Sequence, residues 1–397
     1  MKKTVIVDGL RTPFGKFKGA LKTIRPDDLA SIAIQNLVQR NGIQDANIDD
    51  VILGCVNQAG EDNRNVARMS LLLAGLSDHI PGCTVNRLCG SGLEAVNQAV
   101  MQIETHRANV VIAGGVESMT RSPFVMLKPE IGFSKGNQML VDTTIGWRFV
   151  NPRMNQLYPV VTLGESAEIM AEKFHISRED QDRFAYMSHK KAANAELNGY
   201  FKKEIIPVFE TNSEKILLEK DEHIRDETTI EKLSELSSVF KKNGTVTAGN
   251  SSGINDGACV LLLMEHDHAI RNGFTPLAEV ITSAVTGVHP SLLGMGPISA
   301  SQKALHGARL RMEDISLWEI SEAFASMTLT SIKELGLDSA KVNVNGGAIS
   351  IGHPLGASGA RMILSLVHEL RRRKLEYGLV TMCIGVGQGI ATIVRAL

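Results

Sequence analysis

The sequence lacks an excess of charge of either sign: 42 basic side chains stand against 43 acidic ones, a formal net charge of −1 over 397 residues. No global field therefore draws the chain to nucleic acid or to an anionic membrane. Cysteine is scarce. Cys55, Cys83, Cys89, Cys259 and Cys383 are an odd, scattered set with no Cys-x-x-Cys pair, which argues against a disulfide framework and a structural zinc site and fits a reducing compartment. No stretch approaches the roughly 18 apolar residues of a spanning helix. The apolar start Thr4 to Val7, behind Lys2 and Lys3, is cut by Asp8 and Arg11, short of the ~7–15 residues of a secretory signal. The final Val394-Arg395-Ala396-Leu397 is not a peroxisomal address. We expect a soluble, cytoplasmic protein.

What is present is a globular composition, 43% hydrophobic and 21% charged, long enough for two or more packed units. Short β-branched runs recur between helical stretches: Thr4 to Val7, Asp50 to Gly54, Val110 to Ala113, Val260 to Met264, Leu277 to Ile281, Leu379 to Met382 and Ile390 to Val394. This pattern predicts an α/β protein. Pro26 to Arg40 and Ile363 to Arg373 have helical apolar spacing, and the basic run Arg371 to Lys374 reads as a helix C-terminus. From about Thr120 to Gly244 strand signals fade and charge and proline rise, so this stretch reads as a long insertion. Within it, Ser177 to Ala195 is expected to be a helix with a capping box from Ser177 to Asp180.

The flanking parts echo one another. Leu88-Cys89-Gly90-Ser91-Gly92 opens one helix and Leu355-Gly356-Ala357-Ser358-Gly359 another; Val111 to Gly115 and Val380 to Ile384 follow at nearly one spacing. A duplicated α/β unit accounts for both matches, and coincidence of glycine-rich turns is the competing reading.

Three residues attract chemical attention. Cys89 lies in a strand, tight turn, helix context, where unpaired helix N–H groups would favour a thiolate; a small buried hydrophobe is the plainer alternative. His353 sits in a loop held by glycines and Pro354, as a general base or as an ordinary turn residue. Cys383 ends a strand before Gly385-Val386-Gly387-Gln388-Gly389. That run is not a dinucleotide loop, because the eight residues after Gly389 read as a strand and leave no helix for a pyrophosphate. His266 and His268 open a polar helix on faces that do not meet, so no metal is expected there. Ser91, Ser252 and Ser358 flank glycines without forming a hydrolase elbow.

Together these segments resemble the thiolases along essentially the whole chain. The landmarks are Arg11-Thr12-Pro13-Phe14-Gly15, the Cys89 turn, Ala113 to Met119, Thr247 to Ala258, Glu322-Ala323-Phe324-Ala325, the His353 loop and the Cys383 loop. The resemblance implies an α/β fold of two duplicated βαβαβαββ halves in a five-layered αβαβα core. It places an N-terminal half at 1–119 and 245–272, a loop domain over the active site at 120–244, and a C-terminal half at 273–397. It implies a ping-pong acyltransferase without metal or cofactor, coenzyme A being a substrate, that cleaves 3-oxoacyl-CoA to acetyl-CoA and a shortened acyl-CoA, or runs in reverse. Cys89 would be the nucleophile, His353 its base, and Cys383 the second acid and base. The N–H groups of Cys89 and Gly385 would form one oxyanion hole, and His353 with a water the other. Arg225, Phe240, Ala248, Ser252 and Phe324 would line the coenzyme A path. A homodimer or homotetramer is implied.

The sequence departs from the family at Ser321, which stands where an asparagine usually fixes that water. A shorter side chain implies reduced turnover, and keeps open a thiolase-like CoA or lipid binder with weak catalysis. A ketoacyl synthase relative is a further possibility with a different residue set. The segments Gly54 to Arg68 and Asp142 to Pro152 look most like 3-oxoadipyl-CoA thiolases, with Arg148 facing a distal carboxylate. Leu293 and Leu163-Gly164 differ from common short-chain patterns, and fatty-acid β-oxidation is the alternative within the class.

Overall fold

A computed structural model describes residues 2–44, 47–130, 132–210 and 213–397. In chain order the first part runs β1 (Thr4–Arg11), β2 (Gly15–Lys16), α1 (Pro26–Asn41), β3 (Asp50–Gly54), α2 (Val66–Leu73), β4 (Gly82–Val85), α3 (Ser91–Glu104) and β5 (Val110–Ser118). Next come β6 (Phe124–Val125), β7 (Val141–Asp142), α4 (Pro152–Leu157), α5 (Leu163–Phe174), α6 (Arg178–Leu197), β8 (Val208–Phe209), β9 (Ile216–Leu218) and α7 (Ile230–Ser234). The chain then forms β10 (Asn255–Glu265), α8 (His266–Arg271), β11 (Ala278–Gly287), α9 (Gly296–Ala308), β12 (Ile315–Ile320), α10 (Ala325–Leu335), α11 (Ala348–Ile351), α12 (Leu355–Arg373), β13 (Tyr377–Ile384) and β14 (Gln388–Ala396).

The expected duplication is visible in the pairing. In the first half the strands lie in the order β4-β3-β5-β10-β1, and in the second β12-β13-β14-β11. β3 is parallel to β4 and β5, as β12 is to β13; β10 and β14 return antiparallel. The counterpart of β4 is reduced to one parallel bridge between Val342 and Trp318. The two sheets join edge to edge through a short antiparallel contact, Val5 with Glu279 and Ile6 with Ala278.

Both faces of each sheet are buried, which is why the central strands read as unbroken apolar runs. Along β5, Val110 and Ile112 point outward to α1 and α2, while Val111 and Ala113 point inward, the two-residue period of a strand. On the far side, Trp318, Leu379 and Ile393 meet α9 and α10. The inner faces of both sheets converge on α3 and α12, giving the five layers αβαβα. These central helices touch at their glycines: a Cβ on Gly92 would lie 2.3 Å from Gly356 O, and one on Gly359 2.4 Å from Leu93 N. Alanine at either position would force the helices apart.

Among its described residues the insertion holds two short strand pairs besides its helices. Ser177 Oγ accepts from Asp180 N–H (3.0 Å), but instead of the reciprocal backbone arm it donates to Asp180 Oδ2 (2.6 Å). The full capping box forms at Thr162 and Glu165, opening α5. Among the described residues no helix is long and apolar enough to cross a membrane.

Candidate active site

Both central helices begin at the boundary between the halves. Before α3, Leu88 takes φ +48°, Arg87 N–H donates to Ser91 Oγ (2.9 Å), and Ser91 Oγ donates to Leu88 O (2.6 Å), closing the turn that carries Cys89. Gly90 is needed because a Cβ there would lie 2.6 Å from Ile384 Cδ1; the loop of one half seats directly on the other. Cys383 lies near the end of β13 opposite Gly389. The glycine run turns β13 into β14 through a three-residue loop, Gly385 to Gly387, between the paired Ile384 and Gln388, with Val386 (φ +63°) and Gly387 (φ +76°) in the left-handed region. The turn brings Gly385 N–H toward Cys89 Sγ, where it and the N–H of Cys89 favour the anion.

The expectation that a helix start favours the Cys89 thiolate is outweighed by burial. The helix cap is Gly90, one residue later, and Cys89 is buried. Burial pushes its thiol up to about 11, against the two N–H donors that favour the anion. Burial and the nearby Cys89 raise Cys383 to about 12. Both cysteines rest as thiols.

His353 lies between α11 and α12. Its N–H donates to Asn255 Oδ1 (2.8 Å), and Asn255 Nδ2 donates to Gly15 O (3.0 Å). Gly352, at φ +116°, lies against that amide, where a Cβ would come within 2.8 Å. His353 Nδ1 is 2.7 Å from Ser358 Oγ, which also donates to Pro354 O at 3.2 Å. With the hydroxyl hydrogen so used, Nδ1 carries the ring proton and Nε2 is a free acceptor. Burial, aided by Arg361, lowers the imidazole to about 4, so it is neutral at pH 7. His353 Nε2 and Ser321 Oγ are both buried without a hydrogen-bond partner. Ser321 is fixed only through its backbone, its N–H donating to Thr381 O (3.0 Å) and its carbonyl accepting from Thr328 Oγ1 (3.1 Å).

A cavity of about 380 Å³ opens onto this junction. Cys89, Gly385 and Leu355 form one wall; Trp147, Arg148 and Leu293 are among the residues of the others. His353, Cys383 and Ser321 are not in its lining. Cys383 instead packs in an apolar cluster with Phe324, Leu163 and Phe240. The residues expected along the coenzyme A path divide accordingly. Phe240 meets Phe324 edge-on at 5.9 Å, and Ser252 N–H donates to Ala323 O (2.9 Å), so these three are assembled beside Cys383. Ala248 and Arg225 are exposed, Arg225 donating its N–H to His189 Nδ1 (3.2 Å). Among the described residues no group of three or more His, Cys, Asp or Glu is placed to hold a metal.

Asn255, Ser358 and Glu117 had no role assigned from the sequence. Glu117 had a visible signal, a carboxylate inside an otherwise apolar buried strand. The partners of Asn255 and Ser358 had none, because they follow from tertiary contacts.

A thiol and a neutral imidazole on loops from two duplicated halves, with two N–H donors on the sulfur, suit acyl transfer through a thioester. Comparison with known proteins decides the family: residues 4–267 match the model for the thiolase N-terminal domain and 274–396 that for the thiolase C-terminal domain. The chain belongs to the thiolase family. As a thiolase it is a CoA-dependent acyltransferase that cleaves 3-oxoacyl-CoA through an acyl-cysteine enzyme. It is 51% identical over 400 residues, covering 100% of both chains, to the 3-oxoadipyl-CoA/3-oxo-5,6-dehydrosuberyl-CoA thiolase of Escherichia coli K12. A beta-ketoadipyl-CoA thiolase of Acinetobacter baylyi is 48% identical over the full length of both. The Bacillus anthracis acetyl-CoA acetyltransferase superposes with a TM-score of 0.93 at 41% identity, over 100% of this thiolase and 99% of that chain. Human mitochondrial 3-ketoacyl-CoA thiolase in complex with CoA gives 0.92 at 38%, over 100% and 98%.

Proposed function

We propose that this thiolase cleaves 3-oxoacyl-CoA thioesters that end in a distal carboxylate, with 3-oxoadipyl-CoA as substrate, using Cys89, His353 and Cys383. His353 Nε2 takes the Cys89 proton and the thiolate adds to the 3-oxo carbon, whose oxyanion meets the N–H groups of Cys89 and Gly385. The C2–C3 bond breaks, its electron pair passes to C2, and Cys383 protonates the acetyl-CoA carbanion. Coenzyme A then gives its proton to Cys383, its thiolate takes the acyl group, and Cys89 leaves as the thiolate and recovers its proton from His353. The acetyl-CoA oxyanion falls to the side of the site where Nε2 and Ser321 Oγ lack partners. Coenzyme A enters along Phe240, Phe324 and Ser252, with Ala248 and Arg225 toward its nucleotide end.

The observation that carries the substrate reading is Arg148. It lines the Cys89 cavity half-buried, donates Nη2 to Thr143 O (2.9 Å), and makes no ion pair among the described residues. Asp62 lies near enough to feel its charge without pairing to it, and a half-buried, unpaired guanidinium in the lining of a largely apolar cavity suits a substrate carboxylate. The names of the relatives near 50% identity point the same way.

We also infer that 120–244 acts as a loop domain over a core formed by 1–119 with 245–272 and by 273–397. The protein is read as a cytoplasmic homodimer or homotetramer. Five unpaired cysteines support the compartment, and exposed Phe124, Leu127, Phe133 and Met139 support assembly. Purified protein should release acetyl-CoA fastest from 3-oxoadipyl-CoA when offered beside acetoacetyl-CoA and a medium-chain 3-oxoacyl-CoA, and mass spectrometry should find acyl-Cys89. A preference for the medium chain would overturn the carboxylate reading. Folded, CoA-binding protein that cleaves none would establish the binding-protein alternative.

A further inference from the structure

Glu117 is a buried carboxylate on the wall of the cavity that no step of the reaction uses. Its acceptors are spent on the backbone of both halves. Oε2 accepts from Gly356 N–H (3.0 Å) and Val56 N–H (3.0 Å), and Oε1 from Asn57 N–H (3.0 Å). Gly356 is in the first turn of α12, three residues after His353. It is sunk into the other half so far that a Cβ would lie 2.5 Å from Gly54 O and from Val116 O. From Asn57 the contacts continue outward: Asn57 Nδ2 donates to Thr143 Oγ1 (3.0 Å), and Thr143 O accepts from Arg148 Nη2 (2.9 Å). One side chain thus joins the loop of the base to the segment that holds the guanidinium.

We propose that Glu117 is a positioning residue that couples the His353 loop to the carboxylate-recognising wall at Arg148. The proposal rests on the reading above that Arg148 meets a substrate carboxylate, but its content is mechanical. A substrate carboxylate drawn to Arg148 pulls on Thr143 and Asn57, and the shared acceptor transmits that register to the start of α12. A carboxylate suits this place because an ionised acceptor strengthens bonds from several backbone N–H groups at once, and the cost of burying it is met only while all three donors stay in place.

The test is a double-mutant cycle with Glu117→Gln and Arg148→Met, read as kcat/KM on 3-oxoadipyl-CoA. Circular dichroism and stoichiometric alkylation of Cys89 define the folded, competent sites in each variant. Glutamine keeps the shape but retains a single acceptor oxygen, so Glu117→Gln should lose about tenfold and Arg148→Met about 100-fold. If the two are coupled, the double variant loses clearly less than the product of the single losses. Losses that multiply would overturn the coupling. So would a Glu117→Gln protein with full activity per folded site, since the residue would then serve stability alone. Failure of the substrate reading shows separately, in the wild-type ratios between substrates before any variant is made.

Discussion

The two halves of this thiolase share a frame and divide the chemistry. In the first, a glycine turn puts Cys89 just before α3, and the equivalent strand β5 carries Gly114 and Gly115. In the second, the residue before the matching helix turn is His353, and the matching strand β13 carries Cys383. The glycines of β5 are held by packing: a Cβ on Gly114 would lie 2.0 Å from Cys259 O, and one on Gly115 2.0 Å from Gly356 O. Where one half admits a neighbouring backbone, the other places a thiol. Duplication supplied two helix starts at one seam, and divergence at a few positions put Cys89 at one and His353 and Cys383 at the other, which on the proposed reading divides nucleophile from base and second thiol.

The hardest way to break this comparison is to remove the residue that makes the halves unequal. Cys89→Ala should lower kcat by about 10⁴-fold or more, with no acyl-enzyme by mass spectrometry, because Cys383 is packed in an apolar cluster outside the cavity lining. Residual acylation at Cys383 would show the two thiols to be interchangeable. Next in size, Arg148→Met should cost about 100-fold in kcat/KM on 3-oxoadipyl-CoA, the loss of one charge-assisted contact, and under about threefold on acetoacetyl-CoA, measured by thiolysis. Equal losses on both would make Arg148 a structural residue of the cavity.

Ser321 sharpens the comparison from the other half. Its hydroxyl is buried with no partner, while its backbone N–H and carbonyl are both held. An amide in its place reaches further, so Ser321→Asn should raise kcat, by up to about tenfold of the 10²–10³ that one oxyanion donor is typically worth. Steady-state thiolysis decides it: kcat unchanged or lower would mean that the serine already holds what the reaction needs.

The frame was legible in the sequence to the extent that burial writes itself locally. Unbroken apolar runs at 110–113 and 260–264 marked strands covered on both faces, and the paired glycine turns before α3 and α12 marked the duplication. Cys89, His353 and Cys383 stood out because each sits where glycines leave little else to pack. What was illegible came from the seam. Nothing local says that Gly92 and Gly356 lie in contact, that Asn255 holds the His353 backbone, or that Glu117 gathers three N–H groups from two halves. The thiolate expectation failed for the same reason, since a helix start is a local feature and the burial that outweighs it is not.

The smallest effect separates the base from its support. His353 is lowered to about 4, so its neutral, proton-accepting form persists as pH falls from 8 to 5 and it contributes no loss of activity there. Glu117 is different: burial raises it to about 7, against its three backbone donors. The groups that bear on it are Cys55 (Sγ 3.8 Å from Oε1), Asp62, itself raised to about 6 by burial, and Cys89. Above about 7 the carboxylate accepts all three N–H bonds; below it a proton occupies one oxygen, weakening the grip on Gly356 and the 56–57 loop. We expect kcat/KM to fall two- to fivefold between pH 8 and 6, and the fall to vanish in Glu117→Gln, which is already uncharged. A fall that survives in that variant would take the proton away from Glu117 and assign it to another group, Asp62 at about 6 being the nearest that titrates in this range.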